Sequence, residues 1–295
     1  TLFRSVATLT VNSATSITKQ PVNMTICEGG VAFFEVEASP NGLTYQWQKD
    51  GANIGDILGK QEGTTTSVLV INNAVTADQG IYRCLITGGC NDEISNPSTL
   101  TVNPAPVAAG TITGLTTVCQ GAQSVLYVVP EIANAQTYVW DVPYGATIVG
   151  GQGTRTIQVD YAADALSGTI TVYGQNSCGN GTASIPLAIT VNAMPVAYAG
   201  VDQNICSYST LLEGNDVAGG TWTIISGDAV ISNVNQYNTQ VNNLLSGLNT
   251  FRWTVTQNGC TAYDDVNIVN LKVSVNAGTD QVVCALKFAS FAHTT

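Results

Sequence analysis

Eight cysteines carry most of the chemistry open to this sequence: Cys27, Cys84, Cys90, Cys119, Cys178, Cys206, Cys260 and Cys284. Thiols hold metals, attack electrophiles or form disulfides, and their spacing separates these roles. No C-x-x-C occurs, and the one histidine, His293, falls near the end of the chain. Zinc sites use closer Cys/His groupings than this. A Ser/His/Asp or Cys/His site would lack a base, so no catalytic residue is expected and the chain is not read as an enzyme. Gly150-Gly151-Gln152-Gly153-Thr154 lacks the Lys-Ser/Thr of a phosphate loop and precedes a strand, so it reads as a turn. Asp202, Asp264, Asp265 and Asp280 form no D-x-D-x-D loop for calcium and read as solvated turn acids. Nothing among the acids selects a glycosidase pair. No metal and no cofactor is expected. Disulfides formed in an oxidising, extracytoplasmic compartment are the better reading of the cysteines.

Elements that could position those cysteines come from the rest of the chain. It has 295 residues, few charges and a net charge of −11. That balance argues against nucleic acid and against docking on an anionic membrane. No run of about 18 apolar residues occurs, so no membrane insertion is expected in this segment. Without a starting Met or a basic region leading into an apolar one, the chain reads as a mature or internal piece of something longer. Gly, Thr, Val, Asn, Ala and Ser dominate at the expense of helix formers. Short runs alternate apolar and polar residues: Phe34/Val36/Ala38, Val68/Val70 continuing to Ile81/Leu85, Ile157/Val159, Ile170/Val172, and Phe251/Trp253/Val255. Such runs between turn residues predict an all-β chain of antiparallel sandwiches.

Three strands end alike, in Leu9–Asn12, Leu100–Asn103 and Ile189–Asn192, each closing on Thr-Val-Asn. Ala199-Gly200-x-Asp202-Gln203-x-x-Cys206 returns as Ala277-Gly278-x-Asp280-Gln281-x-x-Cys284. A period of this size fits tandem small β-domains rather than a solenoid. The expected division is 1–12 as the last strand of a preceding domain, then units at 13–103, 104–192 and 193–273. Residues 274–295 then read as the first strand of a following, incomplete domain.

The first unit carries residues that resemble an immunoglobulin-like domain. Trp47, in Tyr45–Gly51, suits the core tryptophan of strand C, and Asp78-x-Gly80-x-Tyr82-x-Cys84 suits the entry to strand F with a tyrosine corner. Tyr138–Gly145, Gly151–Thr154 and Asn176–Gly179 make the second unit similar to PKD-like sandwiches. Trp222 and Asn258-Gly259-Cys260 place the third in the same company. Together these resemble part of a multidomain Bacteroidota cell-surface protein of the gliding-motility or type IX-secreted adhesin type. After Cys284 the sequence departs from that pattern. The resemblance implies structural roles for Trp47, Tyr82, Cys84, Trp140 and Trp222 in the cores.

In an immunoglobulin-type topology the usual strand B partner of Cys84 falls near Val36 and is missing. Cys84 then reads as a buried small hydrophobe facing Val36 and Trp47. Cys27, Cys119, Cys206 and Cys284 each precede a strand B, whereas Cys90, Cys178 and Cys260 each lie in an F–G turn. Two pairings are open. Within units they are Cys27–Cys90, Cys119–Cys178 and Cys206–Cys260. Between units, where the bottom of one domain meets the top of the next, they are Cys27–Cys178 and Cys119–Cys260. Cys90 then turns back to a preceding domain, and Cys206 waits for a following one. A seven-residue strand rises about 23 Å, against the roughly 7 Å between disulfide-bonded Cα atoms, which counts against the first scheme. A shifted first strand would count against the second.

The expected function is a non-catalytic, load-bearing stalk or filament segment of a large extracellular protein at the cell surface, outer-membrane-attached and secreted. Its expected partners are neighbouring repeats of the same chain, with other copies in a filament or surface glycans as further ones. The rival is a carbohydrate-binding module or accessory region of a secreted hydrolase, with Tyr144, Tyr161, Tyr198 and Tyr237 as stacking aromatics in loops.

Overall fold

The computed structural model describes residues 13–88 and 90–272. The proposed end strands at 1–12 and 274–295, and with them Cys284 and His293, lie outside the described residues. What is described is strand and turn apart from one short 3₁₀ turn, Thr76–Asp78. Three sandwiches follow one another, each around its own apolar core.

All three repeat one plan. An early strand lies parallel to the last strand of its own unit: Met24–Cys27 beside Ser98–Asn103, Thr117–Cys119 beside Leu187–Asn192, and Gln203–Ile205 beside Cys260–Asn270. The first unit's sheet continues through Gly80–Thr87 to Thr44–Lys49, and the second's through Gly168–Asn176 to Thr137–Asp141. Gly247–Gln257 and Gly220–Ser226 extend the third. A second sheet closes each core: Ala32–Glu35 with Val68–Ile71, Val125–Val128 with Thr156–Tyr161, and Thr210–Glu213 with Asn238–Asn242.

The alternating runs point inward as their period requires at Phe34 and Val36, Ile157 and Val159, Ile170 and Val172, and Phe251, Trp253 and Val255. Two runs are out of phase with the sequence reading. Leu69 and Ile71 are buried rather than Val68 and Val70, and Tyr82, Cys84 and Ile86 rather than Ile81 and Leu85. The first run is apolar on both faces and the second is broken on its outer face only by Arg83, and with a period of two an error of one residue inverts every side chain. Tyr82 and Cys84, the two residues carried by the domain pattern, set the true phase.

Each unit also hooks a tryptophan across its core. Trp47 Nε1 donates to the Thr66 carbonyl at 2.9 Å, Trp140 Nε1 to the Thr154 carbonyl at 2.8 Å, and Trp222 Nε1 to the Tyr237 carbonyl at 3.3 Å. In the first two units the acceptor sits in the same turn. Thr66 Oγ1 donates within reach of Gly63 and Val68 carbonyls, as Thr154 Oγ1 does with Gly151 and Thr156. Gly63 and Gly151 have φ of +80° and +77°, and a Cβ on either would fall about on the next strand's carbonyl oxygen. The glycine-rich stretch at 150–154 is therefore the turn that positions Trp140. Tyr82 Oη donates to the Asp78 carbonyl at 2.7 Å, the bond of a tyrosine corner. Trp222 faces Trp253 across neighbouring strands with ring centroids 5.1 Å apart.

Candidate functional site: the stapled joints

The chemistry-bearing residues gather where one sandwich meets the next. At the first joint, Cys27 ends its strand directly opposite Asn103, the last residue of the unit's closing strand. Glu28 N–H donates to the Asn103 carbonyl at 2.9 Å, so this end is fixed before the chain leaves. Pro104 begins the passage into the second unit. There the hairpin of Gly168–Asn176 and Gly179–Asn180 presents Ser177 and Cys178 at its tip. Asn176 organises the meeting point. Its Nδ2 donates to the Pro104 carbonyl at 2.9 Å and to the Asn134 carbonyl at 2.8 Å, while its Oδ1 accepts from Cys178 N–H at 2.8 Å. Cys27 and Cys178 are disulfide-bonded, their Cα atoms 5.3 Å apart.

The second joint repeats the arrangement. Cys119 ends its strand opposite Asn192, and Gln120 N–H donates to the Asn192 carbonyl at 2.9 Å. The third unit's long hairpin, Gly247–Gln257 with Cys260–Asn270, turns through Asn258 and Gly259, both at positive φ. Asn-Gly is the sequence such a two-residue turn favours. Asn192 Nδ2 donates to the Asn258 carbonyl at 2.8 Å, and Cys260, the next residue but one, is bonded to Cys119 with Cα atoms 5.7 Å apart.

The pairing within units is overturned: Cys27 bonds to Cys178 rather than Cys90, and Cys119 to Cys260 rather than Cys178. The physical reason is the one that counted against it. Within a unit, the early strand ends at the far end from the hairpin tip, and only the next unit's tip comes within bonding range. Cys84 is fully buried beside Trp47, its register partner, and burial pushes its thiol up to about 11. Cys90 is exposed in the first unit's hairpin turn, next to Asn91, which accepts from Thr15 N–H. Cys206 is exposed and carries no disulfide. It stands one residue past the pair formed by Ile205 and Asn270, so the third unit's end is not in strict register with the two above it.

Of the acids read as solvated turn residues, Asp280 lies outside the described residues, and Asp264 and Asp265 fall within the strand Cys260–Asn270 rather than in a turn. Asp264 Oδ2 accepts from Ala199 N–H, Asp265 forms a two-point pair with Arg252, and Asp202 accepts from Asn267 N–H. Arg252 also lies over the Tyr263 ring at 3.6 Å. Among the described residues no cluster of three or more Cys, His, Asp or Glu is placed to hold a metal. Of the tyrosines considered for sugar stacking, Tyr144, Tyr198 and Tyr237 are exposed. Tyr161 is buried, its hydroxyl 2.8 Å from that of Tyr127, and burial drives its pKa far up. It is a core residue, because it continues the inward phase of Ile157 and Val159.

Sequence reasoning missed the asparagines. Asn176 lies two residues before Cys178, and Asn192 closes the repeated Thr-Val-Asn, so the signal was present as a repeat. Its meaning depends on which carbonyl from the neighbouring segment arrives. Gly181 was missed as well: a Cβ there would meet the Pro106 and Val107 carbonyl oxygens at 2.8 and 2.7 Å. Only glycine lets the passage between units pack so closely on the hairpin.

Residues 16–87 match the model of the immunoglobulin domain, and residues 105–189 match that of the PKD-like domain. No curated protein matches the chain. Among solved structures, the chain is similar to a three-domain I-band fragment of titin at 14% identity and a TM-score of 0.51. The match covers 88% of this chain and 99% of that one. A three-immunoglobulin titin structure with E-to-A substitutions follows at 15% identity and a TM-score of 0.50, covering 87% and 98% of the two chains. At these identities the likeness shows the fold: an all-β tandem of immunoglobulin-like and PKD-like sandwiches, here joined by two disulfides. Neither matched family model is an enzyme's. Among the described residues no helix is long and apolar enough to cross a membrane.

Proposed function

We propose that this chain is a load-bearing stalk segment of a large extracellular surface protein of the Bacteroidota adhesin type, holding a binding region away from the cell. The observation that carries this reading is the covalent bond across both joints. A spacer needs only linkers, and short proline-bearing linkers already restrict bending. A disulfide placed at the side of each linker opposes both hinge opening and separation of the units. Disulfides also require an oxidising compartment, which supports the extracellular location. Outer-membrane attachment, type IX secretion and a part in gliding motility or in filaments belong to the same proposal and rest on the resemblance.

The partners proposed are neighbouring repeats. Cys206, exposed at the end of the third unit, is the equivalent offering to a following domain, with Tyr208 and Leu245 exposed nearby. Surface glycans are the weaker proposal, because Tyr161 has left the set of candidate stacking residues. In the protein that carries this segment, Cys27, Cys119, Cys178 and Cys260 should be replaced by serine and cell retention measured under rising shear flow. Attachment at rest should persist and retention at high shear should fall. Unchanged retention would remove the load-bearing role, and loss of attachment at rest would favour a direct binding role.

A further inference from the structure

The two disulfides are interlaced: Cys119 lies between Cys27 and Cys178 in sequence, and Cys178 lies between Cys119 and Cys260. This order decides how tension runs through the chain. In the first unit, Thr15 sits at the hairpin-turn end, bonded to Asn91, while Cys27 sits at the opposite end beside Asn103. Tension entering near residue 13 therefore crosses the unit along its first strands and passes through sulfur into Cys178. Residues 28–103 lie outside that path.

The second unit is crossed by two short covalent segments, 104–119 and 178–192, each running from the end at the first joint to the end at the second. In the third unit, tension arrives at Cys260 through the second disulfide and leaves along Cys260–Asn270. Each crossing contains strand, Met24–Cys27, Thr117–Cys119, Leu187–Asn192 and Cys260–Asn270, and strands at about 3.3 Å per residue have little length left to give.

We infer that the interlaced staples form a force bypass: any one unit, or any two, can lose its fold without the chain ends moving apart by a unit's worth of chain. If the first and second unfold, the path through Cys27, Cys178 and Asn192 is unchanged. If the second and third unfold, the path through Pro104, Cys119 and Cys260 is unchanged. If the first and third unfold, the folded second unit carries tension from Cys178 to Cys119. Only loss of all three units releases length.

Three covalent branches then connect the staples, of 92 residues from Cys27 to Cys119, 59 from Cys119 to Cys178, and 82 from Cys178 to Cys260. The shortest, which is the body of the second unit, goes taut first. The shortest covalent path between residues 13 and 272, which limits the extension, is then 14 residues to Cys27, 59 between Cys178 and Cys119, and 12 from Cys260, 85 in all. That is about 300 Å at about 3.5 Å per residue, against about 900 Å for the same span reduced. The inference follows from the disulfide connectivity and the placement of the joined ends, and stands apart from the cell-surface reading.

The test is to stretch the full chain between handles at its two ends in single-molecule force spectroscopy, with both disulfides verified on unreduced peptides. The oxidised chain should show no step of one unit's length, roughly 80–90 residues, before a single final transition. Added reductant should yield three such steps. Cys27→Ser with Cys178→Ser should release one step, from the first unit, and Cys119→Ser with Cys260→Ser one step, from the third. Single-unit steps in the oxidised chain would overturn the bypass, as would a reduced chain that stretches no further than the oxidised one. The reduced wild-type chain keeps the test decisive if a serine variant fails to fold. Loss of the shear phenotype with this step pattern intact would sink only the stalk reading.

Discussion

Replacing Cys27 and Cys178 by serine should destabilise the two units that flank the first joint and leave the third untouched. When the first unit unfolds on a folded second unit, the staple holds Cys27 to the place where Pro104 enters, because Asn176 binds the Pro104 carbonyl beside Cys178. The unfolded segment is therefore a closed loop of about 77 residues instead of a free tail, and loop-closure entropy assigns this about 4.5 kcal/mol. The same bond also restrains the second unit when it unfolds, but Cys119 stays bonded to Cys260 on the folded third unit, so that unfolded chain is already partly closed and gains less from it. Amide hydrogen exchange read by mass spectrometry resolves the three units. In the variant, the slowest amides of Gly80–Thr87 should lose about 4.5 kcal/mol of opening free energy, those of Thr156–Tyr161 less, and those of Gly247–Gln257 none. A loss below about 1 kcal/mol in the first unit would refute the reasoning, because the staple would then not constrain its unfolded chain. An equal loss in the third unit would also refute it, by showing that the units do not open separately.

Other outcomes follow from single residues. Gly63→Ala and Gly151→Ala should each cost about 3 kcal/mol, since the added Cβ meets a strand carbonyl as well as a positive φ. Gly59→Ala, at positive φ in open space, should cost only about 1 kcal/mol, all three variants being read by urea titration. Cys84 should resist iodoacetamide in the native chain at pH 8 and react fully in urea. Burial raises its pKa to about 11, so its contribution is complete below the unfolded thiol's ordinary value and declines as pH rises toward 11. Cys84→Ala should flatten that alkaline loss in unfolding midpoints of the first unit. Burial would raise the Asp78 carboxyl, but the Lys60 ammonium and Val75 N–H outweigh it and hold it below its usual range. Its stabilisation is thus present above the ordinary carboxylate pKa and lost as pH falls through the lowered one. Asp78→Asn should cost about 1 kcal/mol at neutral pH and almost nothing at pH 2 in thermal unfolding.

The sequence by itself determined the class of fold. Alternation at Ile157 and Val159, or at Phe251, Trp253 and Val255, is a local signal, because a half-buried strand shows its inner face every second residue. Trp47 with Tyr82 and Cys84 anchored the first unit through the immunoglobulin-like pattern that they match. Runs apolar on both faces, such as Val68–Ile71, left the phase undetermined, since either parity satisfies the pattern and only contact with the opposite sheet selects one. Tyr161 looked like a loop aromatic for the same reason: its burial comes from Tyr127, 34 residues earlier in the chain and on a neighbouring strand. The cysteines showed the limit most plainly. Their positions repeat legibly in every unit, and a strand's length already made pairing within a unit awkward. Which partner arrives within bonding distance was decided only in three dimensions, because it depends on how the end of one sandwich, fixed at Asn103 or Asn192, sits on the hairpin of the next.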